Sequence, residues 1–97
     1  MIPLFAGNFI DNVKFNPECK IKNLPKGEIL VTLKTEKYTI SGFDADLLKF
    51  FYKHQRSEII LNNLSQKYNL SEEECRQKIK HSISTLKAFN IINESIL

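Results

Sequence analysis

A change in hydrophobic periodicity at Ser41 is the feature of this sequence that most constrains its fold. Between Cys19 and Ile40, apolar and polar residues alternate with a period of two, as they do in half-buried β-strands. From Ser41 to Ile92, apolar residues recur every three or four positions, which is typical of amphipathic helices. The order of the two patterns predicts an α+β domain in which an N-terminal three-stranded antiparallel sheet is followed by a three-helix bundle.

The length and charge of the chain limit its architecture and its partners. Its 97 residues predict a single domain, and a chain of this size buries about 60–65% of the surface that its unfolded form exposes. The core must therefore be a single layer of helix against sheet. A net charge of +3 falls short of the dense basic stripe of nucleic-acid binders, so nucleic acid is not an expected partner.

Three segments carry the strand pattern within residues 17–40. The first begins at Cys19 and is followed by a turn at Pro25 to Gly27. The second, Glu28 to Leu33, has apolar residues on both faces, so we expect it at the centre of the sheet. The third, Lys37 to Ile40, is short and rich in strand-forming residues, and we expect it at the edge of an antiparallel meander.

Three helices are predicted over residues 41–92. Ser41 is the candidate N-cap of the first helix, which is expected to end near Lys53. Arg56 opens the second helix, and Asn69 suits the turn that ends it. The apolar faces consist of Phe43, Leu47, Leu48 and Phe51 in the first helix and of Ile60, Leu61, Leu64 and Tyr68 in the second.

The third helix has the clearest boundaries. Ser71 and Glu74 have the spacing of a capping box at its start. Phe89 is expected to close the core at its end, Asn90 to adopt the left-handed conformation of a C-cap, and the pair Ile91–Ile92 to pack back. Its apolar stripe consists of Cys75, Ile79, Ile83 and Leu86.

The N-terminal segment, residues 1–16, has apolar side chains that need burial. They are Phe5, Phe9, Ile10, Val13 and Phe15. The segment lacks a basic n-region and an unbroken apolar run, so it is neither a signal peptide nor a membrane span, and no membrane partner is expected. We expect an arm or an extra strand that packs on this domain or on a second copy, and the sequence leaves both alternatives open.

Residues with the potential for catalysis or metal binding are few. Cys19 and Cys75 lie far apart without metal-ligand spacing, which indicates two small buried apolar side chains in a reducing cytoplasm. The two histidines are isolated from acids and from other metal ligands, so both are expected at the surface. We therefore expect no metal and no cofactor.

Nothing in the sequence predicts an enzyme. It has no glycine-rich phosphate loop and no Ser/His/Asp or Cys/His arrangement. Asp44 and Asp46 lie near a helix start, where capping explains two carboxylates better than acid–base chemistry does. The two histidines, His54 and His81, have no supporting acid nearby in sequence.

The order of three segments resembles that of a known family. The segments are KYTISGFDADLLKFF, RSEIILNNLSQKYNLS and EEECRQKIKHSISTLKAFNII. A strand that leads into an apolar helix, a second helix, and a third helix with a short hydrophobic exit resemble the PqqD-like peptide chaperones. These are the recognition elements for precursors of ribosomally synthesised and post-translationally modified peptides (RiPPs). Lys78 and Ser82 stand where that family often has an acidic and a bulky apolar residue.

The resemblance implies a winged-helix-like fold and a non-catalytic function. An extended leader region of the precursor would add as a strand to the third strand, beside the third helix. The precursor would then be presented to a modifying enzyme such as a radical-SAM protein or a cyclodehydratase. The implied peptide-binding residues are Lys37, Tyr38, Thr39, Ile40, Arg76, Ile79, Lys80, Ile83 and Lys87.

Two features of the third helix bear on such a leader. Its positive charge would steer an acidic peptide, because charge complementarity raises the association rate. That charge comes from Arg76, Lys78, Lys80 and Lys87. Ser82 is predicted to leave space for a large apolar side chain of the leader.

Two other functions remain open on the sequence. A winged-helix DNA-binding regulator is the main alternative, but three glutamates, Glu72 to Glu74, begin the third helix and would repel phosphates. Winged helices also usually place the β-wing after the recognition helix, whereas here the strands come first. The remaining alternative is a homodimerisation domain joined by the aromatic segment from Phe5 to Phe15.

Overall fold

The computed structural model describes residues 13–53 and 56–94, and the helices follow the sheet in the predicted order. The chain is an α+β domain, as predicted. Its elements are β1 (Val13–Phe15), β2 (Cys19–Asn23), β3 (Ile29–Leu33), β4 (Glu36–Ile40), α1 (Gly42–Tyr52), α2 (Ser57–Lys67), α3 (Glu72–Ala88) and β5 (Ile92–Glu94).

The central sheet is antiparallel, with the order β2-β3-β4, which confirms the predicted meander. Ile29 and Val31 have no exposed surface, so the face that carries them is the inner one. The register places Val31 opposite Tyr38 and Ile29 opposite Ile40. Successive side chains of a strand point to opposite faces. The outer face therefore carries Lys20, Lys22, Leu30, Thr32, Lys37 and Thr39.

Two tight turns connect the three strands. A 3₁₀ turn, Pro25–Gly27, joins β2 to β3, and Gly27 has a φ of 79° there, in the region that favours glycine. The Nζ of Lys49 on α1 donates to the Gly27 carbonyl at 3.1 Å. Lys34, with a φ of 57°, lies in the turn between β3 and β4. The turns are short, so β4 returns directly alongside β3.

The three helices contact one another and cover the inner face of the sheet. Their apolar faces follow the predicted spacing. The buried apolar residues are Val13, Cys19, Ile29, Val31, Ala45, Leu47, Leu48, Phe51, Ile60, Leu64, Cys75, Ile79, Ile83, Leu86, Ile91 and Ile92. Both cysteines are buried free thiols, as predicted. None of the described helices is both long enough and apolar enough to cross a membrane.

The capping predictions are confirmed at both ends of α3 and only in part at the start of α1. In α3, Ser71 Oγ accepts from the Glu74 amide at 3.1 Å and the Glu74 carboxylate accepts from the Ser71 amide at 2.9 Å, which confirms the capping box. Asn90 has the predicted left-handed conformation, with a φ of 62°. In α1, Ser41 occupies the N-cap position, but its side chain makes no capping hydrogen bond.

The attribution of Asp44 and Asp46 to capping is wrong. The Asp44 carboxylate accepts the hydroxyl hydrogen of Ser82 on α3. The Asp46 carboxylate pairs with Lys67 Nζ at 2.8 Å and accepts the hydroxyl hydrogen of Tyr68. Both side chains face neighbouring helices, so they stabilise tertiary contacts. The sequence could not reveal this, since the partners lie more than twenty residues away.

The ends of the described chain form a second, two-stranded sheet. β1 pairs antiparallel with β5, with Val13 opposite Glu94 and Phe15 opposite Ile92. Residues 13–15 are thus an extra strand on this same domain, one of the two alternatives. Ile91 and Ile92 are buried, as predicted. The predictions for Phe5, Phe9 and Ile10, like that for His54, lie outside the described residues.

Phe89 does not close the core. Its side chain is 42% exposed, whereas Leu86 and Ile91 on either side of it are fully buried. The reason is geometric: Phe89 is the C-cap of α3, and the chain reverses at Asn90 before β5 begins. The ring of Phe89 lies instead on Tyr38 of β4, with the two ring centroids 4.8 Å apart.

Candidate functional site

The predicted third strand is β4, and it lies at an edge of the sheet. All five of its residues pair with β3, from Leu33–Glu36 to Ile29–Ile40. Among the described strands, β3 is the one neighbour of β4. The second edge of β4 therefore presents backbone N–H and C=O groups that an extended chain can pair with. Lys37, Tyr38, Thr39 and Ile40 all belong to this strand, as predicted.

The inner side of the β4 edge is aromatic. Tyr38 and Ile40 are partly buried against the core. The Tyr38 ring packs on Phe89 at an interplanar angle of 52°. The Tyr38 hydroxyl donates to the Glu36 carboxylate, and that hydrogen bond is the main reason why its pKa is raised. The sequence predicts Phe89 in the core and begins the strand at Lys37, so neither Phe89 nor Glu36 is expected in this arrangement.

The outer side of the same edge is basic. Lys37 and Thr39 are exposed, and Lys37 stands in one cross-strand row with Thr32 and Lys20. The next row consists of Thr39, Leu30 and Lys22. Lysines, threonines and one leucine occupy all six outward positions of these three strands, so no carboxylate neutralises them within the face. An added strand would meet different chemistry on its two sides.

The predicted peptide-binding residues of α3, unlike those of β4, do not share one surface. Ile79 has no exposed surface and Ile83 is 7% exposed, so both belong to the core and neither presents a surface to a peptide. Arg76 forms ion pairs with Glu72 at 3.3 Å and with Glu73 at 3.4 Å, on its own helix. Its charge is thereby engaged by the acidic first turn of α3.

The positive residues of α3 are also spread along its axis. Arg76 precedes Phe89 by thirteen residues, which corresponds to about 20 Å at 1.5 Å per residue. Lys78 Nζ lies 5.6 Å from the centroid of the Phe43 ring on α1. Lys80 and Lys87 are exposed, and Lys87 lies in the last turn, near Phe89. The C-terminal end of α3 lies beside the centre of β4, where the Phe89 ring contacts the Tyr38 ring.

The space predicted beside Ser82 is filled. Ser82 is 1% exposed, and its hydroxyl is hydrogen-bonded to Asp44. Burial raises the pKa of the Asp44 carboxyl, while His81 and Lys78 act in the opposite direction. The small side chain therefore accommodates a polar contact between α1 and α3 and leaves no pocket for a leader side chain.

A polar cleft of about 370 Å³ opens beside the start of β4. Its lining includes Asn16, Glu18, Glu36, Asn90 and Asn93. The amide of Asn16 donates to the Asn90 carbonyl at 2.7 Å, which fixes one wall. No sequence signal could have identified this cleft, because its residues come from separate segments of the chain.

The metal-ligand and thiol side chains of the described residues can each be assessed from their surroundings. No group of three His, Cys, Asp or Glu side chains in residues 13–53 and 56–94 could hold a metal ion. Burial raises the pKa of both Cys19 and Cys75, so these thiols are held in the protonated form, which is a poor nucleophile. His81 is exposed.

Comparison of the chain with protein-family models, with curated proteins and with solved structures finds no match. The candidate site is therefore defined by its geometry: an open strand edge with an aromatic pair on one side and a basic row on the other.

Proposed function

We propose that this protein is a non-catalytic module that binds an extended peptide by strand addition to β4. The observation that carries the proposal is the open edge of β4 beside the exposed ring of Phe89. Backbone hydrogen bonds to the edge would supply affinity, and alternate side chains would supply specificity. An exposed aromatic ring next to an unpaired edge offers an apolar contact to the inward-facing side chains of such a peptide.

The resemblance to PqqD-like recognition elements suggests which peptide this is. We infer that the ligand is the leader region of a RiPP precursor and that the arrangement is winged-helix-like, with the sheet placed before the helices. In this function the protein holds the leader while a modifying enzyme, such as a radical-SAM protein or a cyclodehydratase, acts elsewhere on the precursor. For this function the protein needs only an open strand edge that binds the leader and a packed core that holds that strand in place.

The support for the edge is already visible in the fold. Ile29 and Val31 of β3 are fully buried beneath the helices, and β4 pairs with β3 along its whole length. Preorganisation of this kind lowers the ordering cost of binding. When a peptide adds to β4, the peptide becomes ordered, whereas the conformation of the protein changes little.

The proposal predicts that Phe89→Ala weakens binding of a labelled leader peptide about five- to tenfold, because the peptide loses an aromatic contact beside the edge. The leader would be taken from a short reading frame next to the gene, and binding measured by fluorescence anisotropy. Ile59→Ala is the matched control: Ile59 is 38% exposed, similar to Phe89 at 42%, but lies on α2. It should leave the affinity unchanged.

A second test addresses strand addition itself. A proline at the central position of the leader removes a backbone donor and should abolish binding. A labelled DNA duplex serves as the comparison ligand. Salt-sensitive binding of the duplex, without saturable binding of the leader, would contradict the proposal and support the DNA-binding alternative.

A further inference from the structure

The edge that accepts a peptide is also exposed to a second copy of the same strand. Unpaired strand edges pair readily with one another, and proteins often block this with an edge lysine. β4 carries one outward lysine, Lys37, and it is exposed. The register shows what Lys37 would meet in each kind of pairing.

Two β4 strands can pair antiparallel only in registers that keep inner faces together. In the register centred on Tyr38, Lys37 lies opposite Thr39 of the second copy, and the two Lys37 side chains are diagonal neighbours, about 7–8 Å apart. In the register centred on Lys37, the two lysines are directly opposite, at about 5 Å. Like charges at these positions are destabilising. Lys37 therefore opposes the register centred on Tyr38, which pairs all five residues of β4, and the one centred on itself. In the register centred on Thr39 the two lysines lie far apart, so this charge does not oppose it.

An added peptide meets the same lysine with a different result. A side chain opposite Lys37 lies on the outer face, and one opposite Tyr38 lies on the inner face beside Phe89. An acidic peptide side chain opposite Lys37 would form an ion pair with it. An apolar peptide side chain opposite Tyr38 would contact the rings of Tyr38 and Phe89. The row behind Lys37 continues with Thr32 and Lys20, so no carboxylate within this row competes with the peptide for Lys37.

We propose that Lys37 selects the strand that adds to β4: it opposes full-length pairing with a second copy of this chain and admits a peptide with an acidic residue on its outward face and apolar residues on its inward face. This inference rests on the proposed function for its peptide part. Its self-exclusion part stands on the register alone.

The self-exclusion part is tested by sedimentation velocity over a range of protein concentrations. Lys37→Thr removes the charge and keeps a strand-forming residue, so it should tighten self-association about fivefold relative to the wild-type protein. Lys20→Thr is the matched control, because Lys20 occupies the same row on the opposite edge strand. A Lys37→Thr variant that associates no more than the wild type would overturn this part.

The selection part uses two synthetic peptides with apolar residues at alternate positions and either glutamate or lysine between them. The wild-type protein should bind the glutamate peptide about tenfold more tightly, and Lys37→Glu should reverse the preference. Lys20→Glu should change neither affinity by more than about twofold, since three strand spacings of 4.8 Å separate Lys20 from the peptide, more than a Debye length.

The outcomes separate the two proposals. Equal binding of both peptides to the wild-type protein and to Lys37→Glu would overturn the selection by Lys37 while leaving strand addition intact. A reversal caused by Lys20→Glu instead would place the peptide on β2. Failure of every peptide to bind would contradict the proposed function, and the sedimentation result would still decide whether Lys37 excludes a second copy.

Discussion

At the scale of single residues, the environments of two carboxylates on α1 shift their pKa values in opposite directions. Desolvation tends to raise the pKa of Asp46, but hydrogen bonds from Lys67 and Tyr68 outweigh it, and the net shift is downward. Desolvation and the Asp46 carboxylate raise the pKa of Tyr68 to about 12. For Asp44, desolvation dominates and the pKa is raised. The two groups therefore contribute to stability in opposite ways as the pH changes.

Asp46→Asn should destabilise the protein by about 1 kcal/mol at pH 7, because it removes a partly buried ion pair with Lys67. A carboxyl whose folded pKa is lowered contributes stability above its unfolded pKa and loses it as the pH falls through the folded pKa. The difference from the wild type should therefore shrink below about pH 4. Urea unfolding at several pH values measures this, and a constant difference down to pH 2 would contradict it.

Asp44→Asn should behave differently. A carboxyl whose folded pKa is raised contributes stability below its unfolded pKa and loses it as the pH rises through the folded pKa. Desolvation of Asp44 makes its ionisation unfavourable to folding. The asparagine oxygen can still accept the Ser82 hydrogen bond. We expect a variant at least as stable as the wild type at pH 7, by the same urea titration. A loss of unfolding free energy as large as that of Asp46→Asn would contradict this expectation.

At the scale of elements, the starts of α1 and α3 provide a matched pair of caps. Ser71 makes a capping box with Glu74, whereas the Ser41 side chain makes no capping bond. Ser71→Ala should cost about 1 kcal/mol of unfolding free energy, and Ser41→Ala only a few tenths. Thermal or urea unfolding of both variants decides the point, and equal losses would show that the box contributes nothing specific.

Features that depend on residues close together in the sequence were predicted correctly, whereas those that depend on distant residues were not. Strand alternation, helical spacing and the Ser71 capping box are local, and the structure contains all three. The pairing of β1 with β5 joins segments about eighty residues apart, and no local pattern specifies it. The roles of Asp44 and Asp46 depended in the same way on distant partners.

The candidate site was predictable only in part for the same reason. The alternation in residues 37–40 identifies an edge strand, since a short strand at the end of a meander has one neighbour. Helical spacing, by contrast, cannot say which face of α3 meets the sheet. Ile79 and Ile83, which belong to the predicted apolar stripe and to which the resemblance also gave a peptide-binding role, are in the core. Phe89, predicted to be buried, lies beside β4.

At the scale of the whole molecule, the packed helices support β4, an edge strand with two chemically different sides. β1 and β5 tie the ends of the described chain together, and the helices cover the inner face of the sheet. The inner side of the β4 edge offers Tyr38 and Phe89, and the outer side offers Lys37. This arrangement suits the capture of an extended chain, which is the central claim to be tested.

The most direct measurement is an NMR titration of the isotopically labelled protein with the unlabelled leader peptide. If the leader adds to the sheet, backbone amides of Glu36–Ile40 shift, and the alternate amides that face the open edge become protected from exchange. Cross-strand contacts also appear between the peptide and β4. The Phe89 ring signals should move with them. Shifts centred on β2 or on the first turns of α3, with β4 unchanged, would contradict strand addition at this edge.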